Sequence, residues 1–217
     1  MIADDVLRVV QQRLGGGMPV VDITTELVGV LRDLSGRADF LTTVNSIETI
    51  AGQADYAQTD NLKSVYEVSI DGGAVLEQKS YREYLAYLED NSDATGGEPT
   101  YYALRHGKLY LWPVPDAVYS VNVDSSIYHP TTFTDILFGA EFAEAIFEGV
   151  LAAVYAGKLN RELTLCERSL DEAEAMTFKF YEKYPQAKLH QQRYEKEIAL
   201  LMENMDTEAV VVEYRDI

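Results

Sequence analysis

Three histidines, one cysteine and a surplus of carboxylates are the residues of this 217-residue chain whose types could carry chemistry. His106, His129 and His190 fall on different elements and no two share a helix face, so they build neither a metal-ligand set nor an acid–base pair. Cys166 lies on the apolar stripe of a helix, where a thiol behaves as a small hydrophobe, and no serine sits in a nucleophile elbow. Glu89, Asp90 and Glu98 stand in the loop-rich, tyrosine-rich region where a glycosidase-like carboxylate pair would stand, but an acidic chain brings such pairs together by chance. Gly15-Gly16-Gly17 has neither the G-x-G-x-x-G spacing nor a P-loop lysine, and it follows a helix where a phosphate loop follows a strand; it reads as a hinge. The expectation is a protein that is not an enzyme, with no catalytic residue, no metal and no cofactor.

Tyrosine is the residue type in excess, at 15 of 217. Tyr101, Tyr102, Tyr110, Trp112 and Tyr119 alternate along what read as strands, burying ring area while keeping hydroxyls for hydrogen bonds at a rim. Core filling accounts for about half of these rings. The remainder exceed what a small sheet needs, and aromatic residues are enriched in protein interfaces and carbohydrate platforms alike. Binding or assembly is therefore favoured over catalysis.

The elements that hold these residues begin with Gly96 to Val123. Gly97-Glu98-Pro99 turns into Tyr101–Leu104, Arg105-His106-Gly107-Lys108 reverses the chain into Leu109–Trp112, and Pro113 and Pro115 each remove a ladder donor before Tyr119–Val123. The pattern predicts a three-stranded meander with a rigid corner. Upstream, Thr42–Ile50 and Ser64–Ile70 alternate as strands do, Asp71-Gly72 signals a type I′ hairpin into Ala74–Leu76, and Ser80 caps a short helix over Tyr81–Leu88.

Helical periods flank this β region. Val6, Leu7, Val10 and Leu14 form one stripe; Ile23, Leu27, Leu31 and Leu34 form a second, capped by Asp22 and stopped by Gly36. Ala143, Ile146, Phe147, Val150, Leu151, Val154 and Tyr155 make the widest stripe, with Glu141, Glu144 and Glu148 off it. A break is predicted at Gly157–Asn160, followed by a long partner helix carrying Leu163, Cys166, Leu170, Ala173, Phe180 and Tyr184, which Pro185 kinks or restarts. Glu208–Tyr214 reads as a strand without a neighbour in the sequence.

The fold class expected is α+β: an antiparallel helical bundle with an inserted antiparallel β-sheet or small sandwich and an extended C-terminal arm. The divisions are N-terminal helices 1–41, a β-rich insertion 42–130, long helices 131–206 and an arm 207–217. A hydrophobic content of 47% suffices for a core. The lone cysteine excludes an internal disulfide, and no apolar run is long enough to cross a bilayer, so the chain reads as soluble and neither exported nor anchored. The formal charge of −18 argues against a surface that grips phosphate.

Four motifs occur in order: Ala51-Gly52-Gln53-Ala54-Asp55-Tyr56, Val65–Gly72, Gly97–Ala103, and Leu109-Tyr110-Leu111-Trp112-Pro113-Val114-Pro115-Asp116 followed by the Tyr119 strand. Followed by the helix pair, they resemble the head-to-tail adaptor (neck or connector, head completion) proteins of tailed bacteriophages, over roughly Thr42 to Tyr184. Ala57-Gln58-Thr59-Asp60 departs from the family's Leu-Pro-x-Asp.

The resemblance implies a virion structural protein of the neck, assembled in the host cytoplasm. It implies a homo-oligomeric ring of about twelve copies closed by cyclic symmetry. The ring would dock under the portal protein, form a channel for DNA and present a platform to a downstream tail or nozzle protein. Double-stranded DNA would pass without sequence-specific binding, and no membrane is involved. On this reading Val210, Val211, Val212 and Tyr214 dock on the portal by β-addition. Tyr101, Tyr102, Tyr110 and Trp112 make inter-subunit or tail contacts. Arg161, Arg168, Asp171, Lys179 and Lys183 make lateral helix contacts. The alternative is a carbohydrate- or receptor-binding β module on a helical stalk.

Overall fold

The computed structural model describes residues 3–15, 20–58, 61–90, 96–132, 135–164 and 170–213, with side chains at all of these except 20–22, 161, 162, 164, 170–172 and 206–213. The fold is α+β, with six α-helices and mainly antiparallel sheets among the described residues. It divides into two compact units, Met1–Ala38 with Pro130–Ile217, and Asp39–His129. Among the described residues no helix is long and apolar enough to cross a membrane.

The first unit is helical. Helix α1 (Ala3–Arg13) ends where Gly15 takes a positive φ of 69°, and α2 (Val20–Arg37) buries Ile23, Leu27, Leu31 and Leu34 completely. Each such side chain withdrawn from water contributes about 1.5–3 kcal/mol. Asp22 and Gly36 lie inside α2 rather than at its ends. A glycine in a helix costs about 1 kcal/mol. The last turn is instead held by Arg37, whose Nε donates to Asp33 at 2.8 Å and whose Nη1 donates to Glu195 at 2.7 Å.

Helix α4 (Ala143–Thr164), preceded by a 3₁₀ turn at Ala140–Phe142, packs on α1, α2, α5 (Leu170–Lys183) and α6 (Pro185–Glu213). Such a helix must be apolar nearly all round, and Ala145, Ile146, Val150, Leu151, Ala152, Val154 and Tyr155 are all buried. The break predicted at Gly157–Asn160 does not occur. Leu159 packs against the cluster of Tyr155, Phe180 and Ala187, which keeps the helix continuous through Thr164. Pro185 is the first residue of α6, where its missing N–H costs nothing.

The C-terminal arm also differs from expectation. Helix α6 continues through Glu213, so 207–213 is helical backbone rather than extended strand. Extending an existing helix adds one hydrogen bond per residue fixed, whereas Val210, Val211 and Val212 each lose only a few tenths of a kcal/mol in propensity. Tyr214 and the residues after it lie outside the described residues, as does Cys166.

The second unit contains β1 (Thr42–Glu48), β2 (Asp55–Ala57), β3 (Leu62–Ile70), β4 (Glu77–Gln78), α3 (Tyr81–Asp90), β5 (Tyr101–Arg105), β6 (Lys108–Trp112) and β7 (Ser120–Ile127). One sheet runs β1-β7-β3 and the other β2-β6-β5-β4, with only the β4–β5 pair parallel. The β5–β6 hairpin forms as predicted, with Arg105 opposite Lys108; His106 at φ 50° and Gly107 at φ 71° supply the two positive angles of a type I′ turn.

The meander does not continue into a third strand. β7 leaves for the other sheet and pairs with β1, Val44 opposite Asp124, and with β3, Val68 opposite Val123. The prolines after β6 offer no ladder donors, while Val121 and Val123 gain full burial in the other sheet. Nine buried side chains from both sheets and their connections, among them Tyr56, Val68, Leu76, Tyr102, Leu109, Leu111 and Val123, form one cluster.

At Asp71-Gly72 only Gly72 takes positive φ, so the turn is not type I′. A single bridge, Ser69 opposite Val75, forms before Leu76 enters the core and the chain crosses to the second sheet. Helix α3 starts as a capping box. Ser80 N donates to Glu83 Oε2 at 2.8 Å and Glu83 N donates back to Ser80 Oγ at 3.3 Å. The Ser80 hydrogen bonds lower the Glu83 carboxyl below its ordinary pKa.

Candidate functional site

The histidines remain apart. His106 is exposed at the β5–β6 turn and His129 is fully buried, while His190 is part-buried with Nδ1 2.6 Å from Glu148 Oε2. Glu89, Asp90 and Glu98 are exposed. Among the described residues no group of three or more His, Cys, Asp and Glu side chains is arranged to hold a metal ion.

In the β unit the strand period sorts the aromatic residues between two faces. Tyr102 points between the sheets and is 3% exposed. Trp112, 8% exposed, joins Ala103 and Tyr84 on the opposite face of its sheet, covered by α3, with Tyr101 and Tyr110 half-buried around them. The rings interlock: Tyr81 and Tyr110 meet edge to face at 4.9 Å, Tyr87 stacks on Tyr101 at 5.5 Å, and the Arg105 guanidinium lies 4.4 Å over Tyr81. Burial raises the Tyr84 and Tyr102 hydroxyls above the ordinary tyrosine range.

Tyr102 and Trp112 are thus taken up by internal packing, whereas the sequence reading grouped them with Tyr101 and Tyr110 as inter-subunit or tail contacts. Tyr101 and Tyr110 keep an accessible edge. The sequence reading missed Ile50 and Val118, 59% and 69% exposed, which flank the pair Thr49–Tyr119 joined by a 2.9 Å backbone hydrogen bond. Each is a branched residue two positions outside a strand end, Ile50 after β1 and Val118 before β7.

In the helical unit Lys179 and Lys183 are exposed, while Arg168 and the side chains of Arg161 and Asp171 lie outside what is described. Beside the lysines the structure adds two aromatics that sequence reasoning passed over. Phe178 is 67% and Tyr181 40% exposed, one turn apart on the face of α5 opposite to buried Phe180. Their i, i+3 spacing, offset from the Phe180/Tyr184 stripe, was readable.

Beneath the surface Glu148 is the center of a charge cluster, although the helical period placed it off the buried stripe. It is 1% exposed, and Oε1 lies 3.3 Å from Arg13 Nη1 of α1 and 3.7 Å from Arg193 Nη1 of α6, with His190 on Oε2. It ties three helices together.

A notch of about 260 Å³ opens between α2, α4 and α6, lined among others by Gly29, Val30, Gly149, Ala153 and Tyr194. Tyr194 donates its hydroxyl to Asp33 at 2.8 Å; burial and that carboxylate raise its pKa well above the ordinary value. At the C-terminal end, Val210, Val211 and Val212 follow one another on α6, and Tyr214 lies outside the described residues.

These features are packing surfaces and ion pairs. Residues 1–213 match the family model described as SU10 adaptor protein. A search of curated proteins returned no match.

Proposed function

The chain belongs to the SU10 adaptor protein family, a family of phage head-to-tail adaptors, and we propose that it acts in the virion neck as a ring that docks beneath the portal and receives the tail. The family match over residues 1–213 is the observation that carries this reading. The helical unit builds the ring wall through lateral contacts around Lys179 and Lys183, to which Arg161, Arg168 and Asp171 belong by sequence. The ring holds about twelve copies, a number consistent with closed cyclic symmetry. The C-terminal residues Val210, Val211, Val212 and Tyr214 dock on the portal protein.

The β unit meets the downstream tail or nozzle protein, or the neighbouring subunit. Tyr101 and Tyr110 offer half-buried ring edges there, on a base made rigid by Tyr102 and Trp112, and Ile50 and Val118 offer exposed apolar side chains. The net charge of −18 suits a lumen through which double-stranded DNA slides, since an acidic wall repels phosphate instead of holding it. Function on this reading is assembly, carried out without catalysis or cofactor, after synthesis in the host cytoplasm.

The test is to mix the purified protein with portal rings and image the product. A ring of this protein on one face of the portal is expected, together with co-sedimentation. Portal rings that stay bare at micromolar protein would overturn the proposal.

A further inference from the structure

We propose that strand β1 is an edge for β-addition, taking an extended segment of a partner chain that carries lysine or arginine at alternate positions. This surface is apart from the ring and portal contacts above and does not depend on them. β1 ends the β1-β7-β3 sheet, and its register with β7 tells which backbone groups face outward. At one end Ile127 N donates to Leu41 O, and at the other Thr49 N donates to Tyr119 O, each at 2.9 Å. Hydrogen-bonded pairs alternate along an antiparallel ladder, so Thr43, Asn45 and Ile47 turn their N–H and C=O groups to β7. Thr42, Val44, Ser46 and Glu48 turn theirs to the open edge, where no backbone hydrogen bond meets them among the described residues.

Edges are ordinarily guarded by bulges, covers or short length. β3, at the other end of the sheet, is irregular between Leu62 and Ser64 and between Val65 and Glu67, and its Ser69 bridges to Val75. The edge strands of the second sheet, β2 and β4, are 3 and 2 residues long. β1 runs 7 residues in unbroken register, with no proline and no lysine, and Val44 near its middle is 64% exposed. A regular, unguarded edge is a template for another strand.

Charge selects the partner. On the outer face of the sheet Val44 stands opposite Asp124 of β7, Asp124 stands opposite Glu67 of β3, and Glu48 follows on β1. Asp124 and Glu67 are like charges side by side, an arrangement that a cation relieves. Among the described residues Glu48, Glu67 and Asp124 form no salt bridge, and Lys63 in the irregular part of β3 is held by Asp39 at 3.0 Å. A second copy of β1 would bring further carboxylates to this face, as would the chain's own β-branched run with Glu208 and Glu213 at its ends. Like charge selects against both. A foreign basic strand suits edge and face together: its backbone completes the ladder, while its cations reach Glu48 beside it and Asp124 one strand further.

The probe is a fluorescein-labelled peptide, Thr-Lys-Thr-Val-Thr-Lys-Thr-Lys, titrated with the full-length protein and read by anisotropy. One companion peptide is N-methylated throughout, keeping its charge but offering no donors; another has glutamate in place of each lysine. The lysine peptide is expected to bind, and both companions at least about tenfold more weakly. Val44→Pro removes a donor on the open side and none on the β7 side, so it should keep wild-type melting while weakening the lysine peptide at least about tenfold. Glu48→Lys combined with Glu67→Lys should turn the preference to the glutamate peptide, a readout that needs no proline in the strand. No binding of the lysine peptide, equal binding of the N-methylated one, or undiminished binding by folded Val44→Pro overturns the proposal. Self-association that Val44→Pro abolishes also overturns it, and gives the edge to a second copy.

Discussion

Gly149 of α4 makes room for Tyr194 of α6: a Cβ built at position 149 would stand 2.7 Å from Tyr194 Cε2 and equally close to Val30 Cγ1 of α2. The absence of one methyl group lets three helices approach, and the Tyr194 hydroxyl then reaches Asp33.

Gly149→Ala is therefore expected to destabilise, against its helix propensity. The propensity gain is about 1 kcal/mol, whereas overpacking two well-anchored neighbours costs about 1–3 kcal/mol. Gly29→Ala should do the reverse, because its Cβ enters open space, and should stabilise by up to about 1 kcal/mol. Thermal melts followed by circular dichroism decide; equal shifts in both variants would show that the close approach is relieved elsewhere.

Glu148 is expected to matter far more than its neighbour Glu144. Both face Arg13, at 3.3 and 3.4 Å, but the Glu148 side chain is 2% exposed and that of Glu144 53%. Glu148→Ala removes the partner of His190 and leaves cations facing a buried gap, a loss of about 3–5 kcal/mol. Glu144→Ala should cost less than about 1 kcal/mol. Urea unfolding of the two variants measures the difference, and comparable midpoints would show that the Glu148 cluster is not what pins the helices.

Glu148 also marks where the sequence stopped being readable. Ile23, Leu27, Leu31 and Leu34 announced their stripe correctly because α2 has one wet face, and period 3.6 detects a boundary between wet and dry. Helix α4 is covered on several sides, so position relative to a stripe no longer reports burial, and a glutamate there is tolerated only because α1 and α6 bring Arg13, His190 and Arg193 to it. The β5–β6 hairpin was legible from His106-Gly107 since a two-residue turn is local chemistry. The partners of β7 were not, because alternation identifies a strand and its inward face without naming the sheet it joins. For the same reason Tyr102 and Trp112 looked like contact residues: ring type was visible, and the α3 cover and second sheet that bury them were not.

Asp39 gives the β unit a pH dependence with a definite sign. Hydrogen bonds from Tyr66 and then Lys63 hold its carboxyl below the ordinary aspartate pKa, and Lys63 Nζ lies 3.0 Å away. A depressed folded-state pKa means that the stabilisation is complete above the unfolded-state value, near about pH 4, and fades as the pH falls through the folded-state value. Asp39→Asn should accordingly melt below wild type at pH 7, with the gap closing below about pH 4. A gap that stays constant across this range would assign the loss to packing rather than ionisation.

Removal of 208–217 separates folding from docking. Among the described side chains of α6 the buried ones are Ala187, Tyr194 and Ile198, all well upstream of the cut. A helix shortened at its free end keeps the packing of its upstream turns. The truncated protein should keep the wild-type circular dichroism and a melting temperature within a few degrees of it, while losing co-sedimentation with portal rings. Two results would point elsewhere: collapse of the helical signal would make the segment part of the fold, and wild-type co-sedimentation would move the portal contact to another surface.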